Sequence, residues 1–583
     1  MFHYTLNYDI LKVMIQEKIT KLIQKSIKVA QKNGAFPDII VEHPKEMFHG
    51  DYATSTALVI GKILKKNPME IAETIKHQIL DLEPDFFEKV EVVKPGFVNF
   101  FLSQQSLINS LNNILKEKEK YGSAKINKTV VIDYSAPNIA KPFGIGHLRS
   151  TIIGQSIYNI YQFLGWKCIG DNYLGDWGTQ FGKMIVAIKK WANKEKLKDL
   201  SIADLEKLYI RFHNEMEANP ELEEEARVWF KKLEDNNKEA KEIWQTCVDI
   251  SLKEFNKVYD LLGIKIDYSL GESFYQNKTK PIIKEANKKK IGNKSQGALI
   301  IQYPEDKLPP VIILKSDGAT SYFTRDLAAV QYRLKTWKPD LIIYEVGVEQ
   351  FLHFKQLFWA VELLGWAKRN KFFHMAHGLY LNKEGRFSTR KGKTIHLESV
   401  LQEAIDRAKK IINTSETVKD LSDKEKEKIA QVVGVGAVKY NDLSQHYSKN
   451  IVFSWDKILS LKGNSGPYLQ YTIARCKGVL RKSKTKINFK QIDSVNSEEK
   501  DILRTIYKFP EIVQEAADKF SPNLICNFAF DLAQKYNLFY QKHSIIGAKT
   551  DNLKMFRLSL TAAVAQVLEN SLSLLGISVP EKM

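Results

Sequence analysis

The hydrophobic pattern of the first region alternates between helical and strand-like spacing. Apolar residues recur at helical intervals from Leu11 to Gln31 and again in DYATSTALVIGKILKK. The segment KVEVVKPGFVNFFLS predicts two short strands around a Pro-Gly turn. We therefore predict a small α+β N-terminal domain over residues 1–122, which ends in the charged segment LKEKEKYGSAKINK.

From Thr129 onward, strands alternate with helices. TVVIDYSA, DLIIYEVG and KFFHMAHGLYL have the pattern of buried strands, and amphipathic helices separate them. This alternation predicts an α/β domain with a doubly wound, Rossmann-like parallel sheet over residues 123–400. Within it, VIILKSDGATSYF predicts a hairpin with an Asp-Gly turn, followed by a helix for which Thr324 is the candidate N-cap.

A Glu- and Lys-rich stretch over about 190–262 interrupts the alternation and predicts a helical insert whose charged faces are solvated. After it the strand pattern resumes, up to about residue 400. Residues 401–583 carry apolar stripes at helical spacing, as in EKIAQVVGVGAVKYNDL, and predict an all-α C-terminal domain.

The composition is that of a globular protein, with 44% hydrophobic and 11% aromatic residues. A formal net charge of +19 suits a polyanionic partner, although a general bias towards lysine would give the same charge. No apolar run is long enough to span a bilayer, and the N-terminus lacks a signal-peptide core, so we expect a cytoplasmic protein with no membrane partner. The four cysteines form no CxxC pair, which argues against structural zinc and against a disulfide framework.

Candidate chemistry begins in SAPNIAKPFGIGHLRSTIIG, where the first strand of the α/β domain becomes a helix. Ligands of open α/β sheets bind at the carboxyl ends of the strands. Gly144 and Gly146 let the backbone approach a phosphate closely, His147 can donate a hydrogen bond, and Lys141 supplies a mobile positive charge. Alone this is a weak signal, because it matches neither GxGxxG nor a P-loop and because turn histidines are more often structural.

A second loop, LNKEGRFSTRKGKTIHL, follows the last strand of the domain and concentrates cations around small hydroxyl residues. An exposed basic turn is the alternative interpretation. Two such loops bracketing one domain favour a polyphosphate ligand instead. The residues concerned are Lys383, Arg386, Ser388, Thr389, Arg390, Lys391 and Lys393.

The two loops resemble the HIGH and KMSKS signatures of class I aminoacyl-tRNA synthetases. SAPNIAKPFGIGHLRSTIIG, NYLGDWGTQFG, SYFTRDLAAV and VGVEQFLHFKQLF are similar to arginyl-tRNA synthetases in particular. HGDYATSTALVI and KPGFVNFFLS resemble that family's extra N-terminal domain, and the helical C-terminus resembles its anticodon-binding domain. The resemblance extends over nearly the whole chain, and its motifs together are highly specific.

The resemblance implies an arginine–tRNA ligase. Such an enzyme activates L-arginine with ATP to arginyl-adenylate, releases pyrophosphate, and transfers the arginyl group to the terminal ribose of tRNA(Arg). Mg²⁺ would arrive with ATP, and no clustered carboxylates suggest a metal site built by the protein. The resemblance also implies a monomer, tRNA contacts by the N-terminal domain, and a need for bound tRNA before arginine is activated.

The resemblance also assigns residues. Carboxylates are suited to a planar guanidinium, which accounts for the acids in the amino-acid pocket, and aromatic rings are suited to stacking on unpaired anticodon bases. Each assignment has a plainer alternative: a strand-end acid for Asp133, a first-turn helix charge for Asp326, and core packing for the aromatics. The implied residues are Lys141, His147, Ser388 and Lys391 for catalysis; Pro137, Asn138, Gly144, Gly146, His147, His377, Arg386 and Arg390 for ATP; Asp133, Ser135, Asn138, Tyr322, Asp326 and Gln350 for arginine; and Tyr536, Phe539 and Tyr540 for tRNA.

The sequence departs from the signatures at two positions. Gly144 stands where HIGH has its first histidine, so one imidazole is absent, and we expect reduced or compensated activity. Thr389 stands where KMSKS has its second lysine, and in the arginine family a lysine upstream of HIGH, here Lys141, is thought to serve instead.

Three alternatives remain open on the sequence alone. A synthetase-like RNA-binding protein would keep the fold and lose activation, because its HIGH loop is altered. A class I synthetase for another amino acid is disfavoured by Asp133 and Asp326, which suit a cationic side chain. A small nucleotidyltransferase shares an HxGH-type loop but would not account for the long helical C-terminus.

Overall fold

We analysed a computed structural model of the chain, which describes residues 14–28, 38–192, 194–304, 307–382, 385–386, 396–484 and 492–583. Its N-terminal region packs helices against an antiparallel sheet of order β1-β2-β4-β3. The predicted Pro-Gly turn joins β3 to β4, with Gly96 N–H donating to the Val93 carbonyl at 2.9 Å. The elements are α1 (Ile15–Lys28), β1 (Val41–Glu42), β2 (Tyr52–Thr54), α2 (Thr56–Leu64), α3 (Pro68–Leu82), β3 (Phe87–Val93), β4 (Phe97–Leu102) and α4 (Gln104–Glu117).

The middle region begins with a strand and continues into helices. Three helices, α7 to α9, fall within the insert predicted over 190–262. The elements are β5 (Thr129–Asp133), α5 (Gly146–Phe163), β6 (Lys167–Asp171), α6 (Thr179–Trp191), α7 (Ile202–Ala218), α8 (Glu221–Glu234), α9 (Lys238–Leu262), α10 (Glu272–Gln276), α11 (Thr279–Lys288), β7 (Gly292–Ser295), β8 (Ala298–Ile301), β9 (Val311–Leu314), α12 (Tyr322–Trp337), β10 (Leu341–Gly347), α13 (Phe351–Leu363), β11 (Phe372–His377), β12 (Tyr380–Asn382), β13 (Gly385–Arg386) and α14 (Leu397–Asn413).

The centre of this region is a four-stranded sheet of order β11-β10-β5-β6, in which every neighbouring pair is parallel. Successive residues of β5 enter different cores: Val130 and Ile132 pack in the core that contains α5, whereas Val131 packs in the core that contains α12 and α13. Helices therefore cover both faces, as the near-continuous apolar strands require. The predicted doubly wound parallel sheet is confirmed.

Two local predictions were wrong. The segment after β9 does not return as a second strand, because β9 pairs with β8 and the Asp317–Gly318 turn closes only an isolated bridge between Leu314 and Thr320. The next helix starts earlier than expected, at Tyr322. Its N-cap is Ser321, whose Oγ accepts from Thr324 N–H, so Thr324 lies inside the first turn.

The C-terminal region is helical apart from the short strand β14, which pairs with β12. It is made of α15 (Asp423–Leu443), β14 (Ile451–Val452), α16 (Trp455–Ile458), α17 (Gly466–Ser483), α18 (Ser497–Ile506), α19 (Phe509–Asp518), α20 (Asn523–Lys542) and α21 (Asp551–Leu574). Across the described stretches of the chain, no helix combines the length and apolar character that a bilayer crossing needs.

The N-terminal region docks on these C-terminal helices through buried polar contacts. The Glu511 carboxylate at the start of α19 accepts from Tyr52 Oη at 2.6 Å and lies 2.8 Å from His43 Nε2. Arg504 of α18 pairs with Asp51 at 3.1 Å. The beginning and the end of the chain are therefore held against each other.

Candidate active site

The loop after β5 has an unusual backbone. Ser135, Ala136 and Ala140 have φ angles of 75°, 46° and 61°, in the left-handed region that costs most residues one to a few kcal/mol. Side chains from elsewhere hold this conformation by accepting the three backbone N–H groups: Ser150 Oγ at 2.9 Å, Asn172 Oδ1 at 3.0 Å and Ser251 Oγ at 2.9 Å. Strain that the surroundings maintain in this way is typical of functional sites.

The start of α5 is suited to a phosphate group. Gly146 is exposed, and a Cβ built on it would meet nothing within 4 Å. No N-cap side chain bonds to this helix. His147 N–H and Leu148 N–H donate to the Gly144 and Ile145 carbonyls at 2.9 and 3.1 Å, which leaves Gly146 N–H at the exposed helix start as the candidate phosphate donor. The Nδ1 atom of His147 is buried without a hydrogen-bond partner in the described structure. Burial lowers the pKa of His147 to about 4, so the ring is neutral at pH 7 and can donate one N–H.

Gly144 lies against the end of the second loop. It forms an antiparallel bridge with His396, and Leu397 N–H donates to the Phe143 carbonyl at 2.8 Å. The predicted Ser388, Arg390 and Lys391 lie outside the described residues, as do Lys383, Thr389 and Lys393, whereas Arg386 ends strand β13. The two loops therefore meet at Gly144.

His377 and Lys141 are two further predicted residues near His147, and both interact with its ring electrostatically. His377 ends β11, is buried, and places Nδ1 3.0 Å from Glu345 Oε1 on the neighbouring strand β10. It is close enough to His147 for the two rings to interact electrostatically. Lys141 places Nζ 5.0 Å from the ring centroid of Tyr209 on α7.

A cavity of about 460 Å³ opens beside this loop at the carboxyl end of the sheet. Of the six residues predicted for the amino-acid pocket, all but Ser135 line it. The Ser135 hydroxyl instead bonds Thr151 and Tyr259 beneath the loop, at 2.9 and 2.8 Å. Pro137, predicted for ATP, is not among the residues that line this cavity, and its carbonyl accepts from Gly175 N–H at 3.2 Å. The lining residues that were predicted are Asp133, Asn138, Tyr322, Asp326 and Gln350.

A buried arginine in this cavity was not predicted. Arg333 of α12 is 1% exposed, and its guanidinium lies 2.8 Å from both Asp133 and Asp171 at the ends of β5 and β6. Its spacing of seven residues from Asp326 places both on one face of α12. That spacing could have indicated that Arg333 lies beside Asp326 in the cavity, but Arg333 belongs to no recognised motif.

The three groups of this cluster carry one excess negative charge when both carboxylates are ionised. Burial raises the pKa of Asp171 to about 6 and also raises that of Asp133, while the Arg333 guanidinium opposes both shifts. A second cation in the cavity would restore neutrality and favour ionisation of both acids. The cluster is therefore suited to a cationic ligand.

Two further ion pairs border the cavity. Asp326 Oδ2 lies 2.8 Å from His353 Nε2, and Glu272 Oε2 lies 2.9 Å from Arg325 Nε. Burial raises the pKa of Glu272 to about 7. His353 and Glu272 line the cavity but were not predicted. His353 lies in the same segment as the predicted Gln350, three residues further along, whereas Glu272 belongs to no motif quoted above.

The predicted tRNA aromatics separate into two groups, which corrects the expectation for two of them. Tyr536 and Phe539 are fully buried in α20, so neither ring can stack on a base without unpacking the helical core. Tyr540 is 40% exposed, with the Arg475 guanidinium 5.0 Å from its ring centroid.

Comparison with known proteins decides the family. The catalytic-domain model of class I tRNA synthetases (R) matches residues 110–455, the arginyl tRNA synthetase N-terminal domain model matches residues 15–102, and the DALR anticodon-binding domain model matches residues 469–583. The chain belongs to the class I arginyl-tRNA synthetase family. It is thus an ATP-dependent ligase of the aminoacyl-tRNA synthetase class, as the motifs predicted.

Individual family members match along the whole chain. An arginine–tRNA ligase of Clostridium botulinum (strain Loch Maree / Type A3) is 41% identical over 578 residues, covering 98% of this chain and 100% of the relative. That of Clostridioides difficile (strain 630) is 42% identical over 574 residues, covering 98% of each. The crystal structure of arginyl-tRNA synthetase from Plasmodium falciparum superposes with a TM-score of 0.80 at 28% identity, covering 98% of this chain and 99% of that one.

Proposed function

We propose that the protein activates L-arginine with ATP to arginyl-AMP and transfers the arginyl group to the terminal ribose of tRNA(Arg). The observation that carries this proposal is the acid-lined cavity directly beside a phosphate-suited helix start. In the first step a carboxylate oxygen of arginine bonds to the α-phosphorus while the bond to the β-phosphate oxygen breaks, and pyrophosphate leaves. In the second, a ribose hydroxyl oxygen bonds to the acyl carbon, AMP leaves, and the hydroxyl proton is released.

The guanidinium is assigned chiefly to Asp326. Asp133 already pairs with Arg333, whereas the partner of Asp326 is an imidazole, His353, which carries a charge only when protonated. The cluster of Asp133, Asp171 and Arg333 adds its excess negative charge to that of Asp326. Tyr322, Gln350 and Asn138 line the same cavity and would orient the rest of the amino acid, while Ser135 would act only by supporting the loop.

The phosphates are assigned to the start of α5. The reacting carboxylate is already a nucleophile, so the protein mainly has to position groups and stabilise charge at the phosphorus and on the pyrophosphate. Gly146 N–H and His147 would bind phosphate oxygens as neutral donors, with Lys141 and His377 beside them and Pro137 and Gly144 shaping the loop. Ser388, Arg390, Lys391 and Arg386 of the second loop are proposed to supply the remaining hydroxyl and positive charge.

Mg²⁺ bound to the ATP phosphates would neutralise part of the developing charge. For tRNA we propose one contact from each end domain of the three predicted domains, 1–122, 123–400 and 401–583. Tyr540, with Arg475, contacts the anticodon from the C-terminal domain, and the N-terminal domain contacts the tRNA body. We further propose that the enzyme works as a monomer in the cytoplasm, where tRNA and ATP are available. Light scattering of the purified protein, with and without tRNA(Arg), tests the monomer.

The decisive experiment is arginine-dependent ATP–pyrophosphate exchange with and without tRNA(Arg), for the wild type beside Gly144→His. Exchange in the wild type supports the proposal, and exchange only with tRNA adds the expected requirement for bound tRNA. No exchange in the wild type, together with exchange in Gly144→His, would show that the altered loop has disabled arginine activation. The chain would then act as an RNA-binding protein.

A further inference from the structure

One face of helix α7 packs on the loop that follows β5, which a solvated insert would not do. Leu205 and Phe212 are fully buried and anchor the helix. Glu206, Tyr209 and His213 follow at helical spacing and so share a face. These three residues are half-buried, and the face borders the phosphate-suited loop.

Tyr209 contacts the lysine of the first loop. The Lys141 ammonium lies 5.0 Å from the centroid of the Tyr209 ring, and His213 lies edge-on to the same ring at 4.6 Å. An aromatic face attracts an ammonium through its quadrupole and carries no opposing charge. The contact can therefore fix the direction of Lys141 without itself neutralising the ammonium.

A second contact from the same helix reaches the other loop. Glu206 Oε2, one turn before Tyr209, lies 3.3 Å from His396 Nε2. His396 is the residue whose backbone bridges Gly144. Helix α7 thus contacts both the first loop and the end of the second loop, on either side of the phosphate-suited start of α5.

We propose that Tyr209 is a positioning residue, which holds the Lys141 ammonium towards the triphosphate through the face of its ring. Glu206 keeps α7 in register with the loops through His396. The proposal rests on the function proposed above for Lys141 and extends it by assigning part of the activation step to the helical insert. Tyr209 itself need not touch the substrate.

The test is a double-mutant cycle in ATP–pyrophosphate exchange, with arginine varied up to saturation at saturating tRNA(Arg). Tyr209→Leu and Tyr209→Met remove the ring, Tyr209→Phe keeps it, and each is combined with Lys141→Ala. We expect the two ring-less variants to lower kcat about tenfold with the KM for arginine unchanged, and Tyr209→Phe to stay within about twofold. In the Lys141→Ala background, loss of the ring should have no further effect.

Ile210→Ala is the matched control, because Ile210 is the next residue on α7 and is 39% exposed. Melting temperatures of all variants distinguish a misfolded insert from a mispositioned lysine. An equal loss of kcat from the Tyr209 variants with and without Lys141 would overturn the proposal, as would a loss in Tyr209→Phe as large as in Tyr209→Leu. An inactive wild type would instead refute the proposed function. An unimpaired Lys141→Ala in an active enzyme would overturn the present proposal, because Tyr209 would then have no catalytic lysine to position.

Discussion

Arg149 and Asp442 form an ion pair that is almost wholly removed from solvent, with side-chain exposures of 1% and 0% and a separation of 3.2 Å. The same carboxylate accepts from Tyr380 Oη at 2.6 Å. Arg149 belongs to α5, whose start is the candidate phosphate site, Tyr380 begins the strand that leads to the second loop, and Asp442 lies on α15. One buried carboxylate therefore fixes both loops relative to the C-terminal helices.

Replacing Arg149 with methionine is expected to destabilise the protein by about 3–5 kcal/mol, because Asp442 is left buried with an unpaired charge. The double variant Arg149→Met/Asp442→Asn should recover part of this loss, since no isolated charge remains. Calorimetric melting temperatures measure both effects. Arg407→Ala, which breaks an exposed pair with Glu403, is the control and should shift stability by less than about 1 kcal/mol. A double variant no more stable than Arg149→Met would contradict the interpretation.

Asp326→Asn should weaken arginine use about a hundredfold in kcat/KM, because a charge-assisted pair with the guanidinium becomes a neutral hydrogen bond. The KM for ATP should change little. Asp235→Asn, at an exposed carboxylate of the insert, is the control. The measurement is exchange kinetics with each substrate varied in turn. Equal losses for arginine and ATP would show that Asp326 supports the fold rather than the guanidinium.

Arginine binding should improve as the pH rises through about 6. Burial raises the pKa of Asp171 to about 6, so below that pH the Asp133–Arg333–Asp171 cluster loses its excess negative charge, and above it the charge is present to attract a cation. The KM for arginine is therefore expected to fall between pH 5.5 and 7.5. Asp171→Asn should remove the part of this dependence near pH 6, with Asp235→Asn as the control, while Glu272, whose pKa burial raises to about 7, still titrates in the upper part of the window. A slope near pH 6 as steep as in the wild type would assign that slope to another group.

Lys439 should make stability depend on pH above neutrality. Its ammonium is buried in α15 and donates to the carbonyls of Gly576 and of Leu262, the latter at 2.7 Å, and burial lowers its pKa to about 7. Between about pH 7 and the unfolded value of about 10.4, the unfolded chain holds a proton that the folded chain has released, so stability rises with pH.

Lys439→Met should lack this gain. The test is to measure the melting temperatures of the wild type and of Lys439→Met at pH 7 and pH 9. The readout is how far the change between the two pH values differs between the two proteins. The wild type should gain more between the two pH values than the variant does. An identical rise in both would show that Lys439 does not titrate in this range.

The structural features that could be predicted from the sequence are those whose residues follow one another along the chain. The strand TVVIDYSA, its loop and the next helix follow one another, so their pattern and residue types predicted β5, α5 and the phosphate-suited turn between them. The two predicted acids of the cavity, Asp133 and Asp326, also lie within recognisable segments. Cys168 and the other three cysteines are free thiols, as their spacing predicted.

What could not be predicted depends on contacts between distant residues. Arg333 and Asp171 are 162 positions apart, and only the folded sheet brings them together. The register of α7 against Lys141 is likewise set by the packing of the insert. For Tyr536 and Phe539 two interpretations were compatible with the sequence, because aromatics spaced i, i+3 on a helix form a buried stripe as readily as a stacking surface. Burial excluded the second interpretation for both.

The docking of Tyr52 on Glu511 has a consequence for synthesis on the ribosome. These partners are 459 residues apart, so at 5–20 residues per second the N-terminal domain emerges roughly 25–90 s before its docking surface exists. Until then the polar groups of Tyr52, His43 and Asp51 stay hydrated, and the N-terminal domain has to persist on its own core. The N-terminal domain of this enzyme therefore folds first and docks late, once α18 and α19 have left the ribosome.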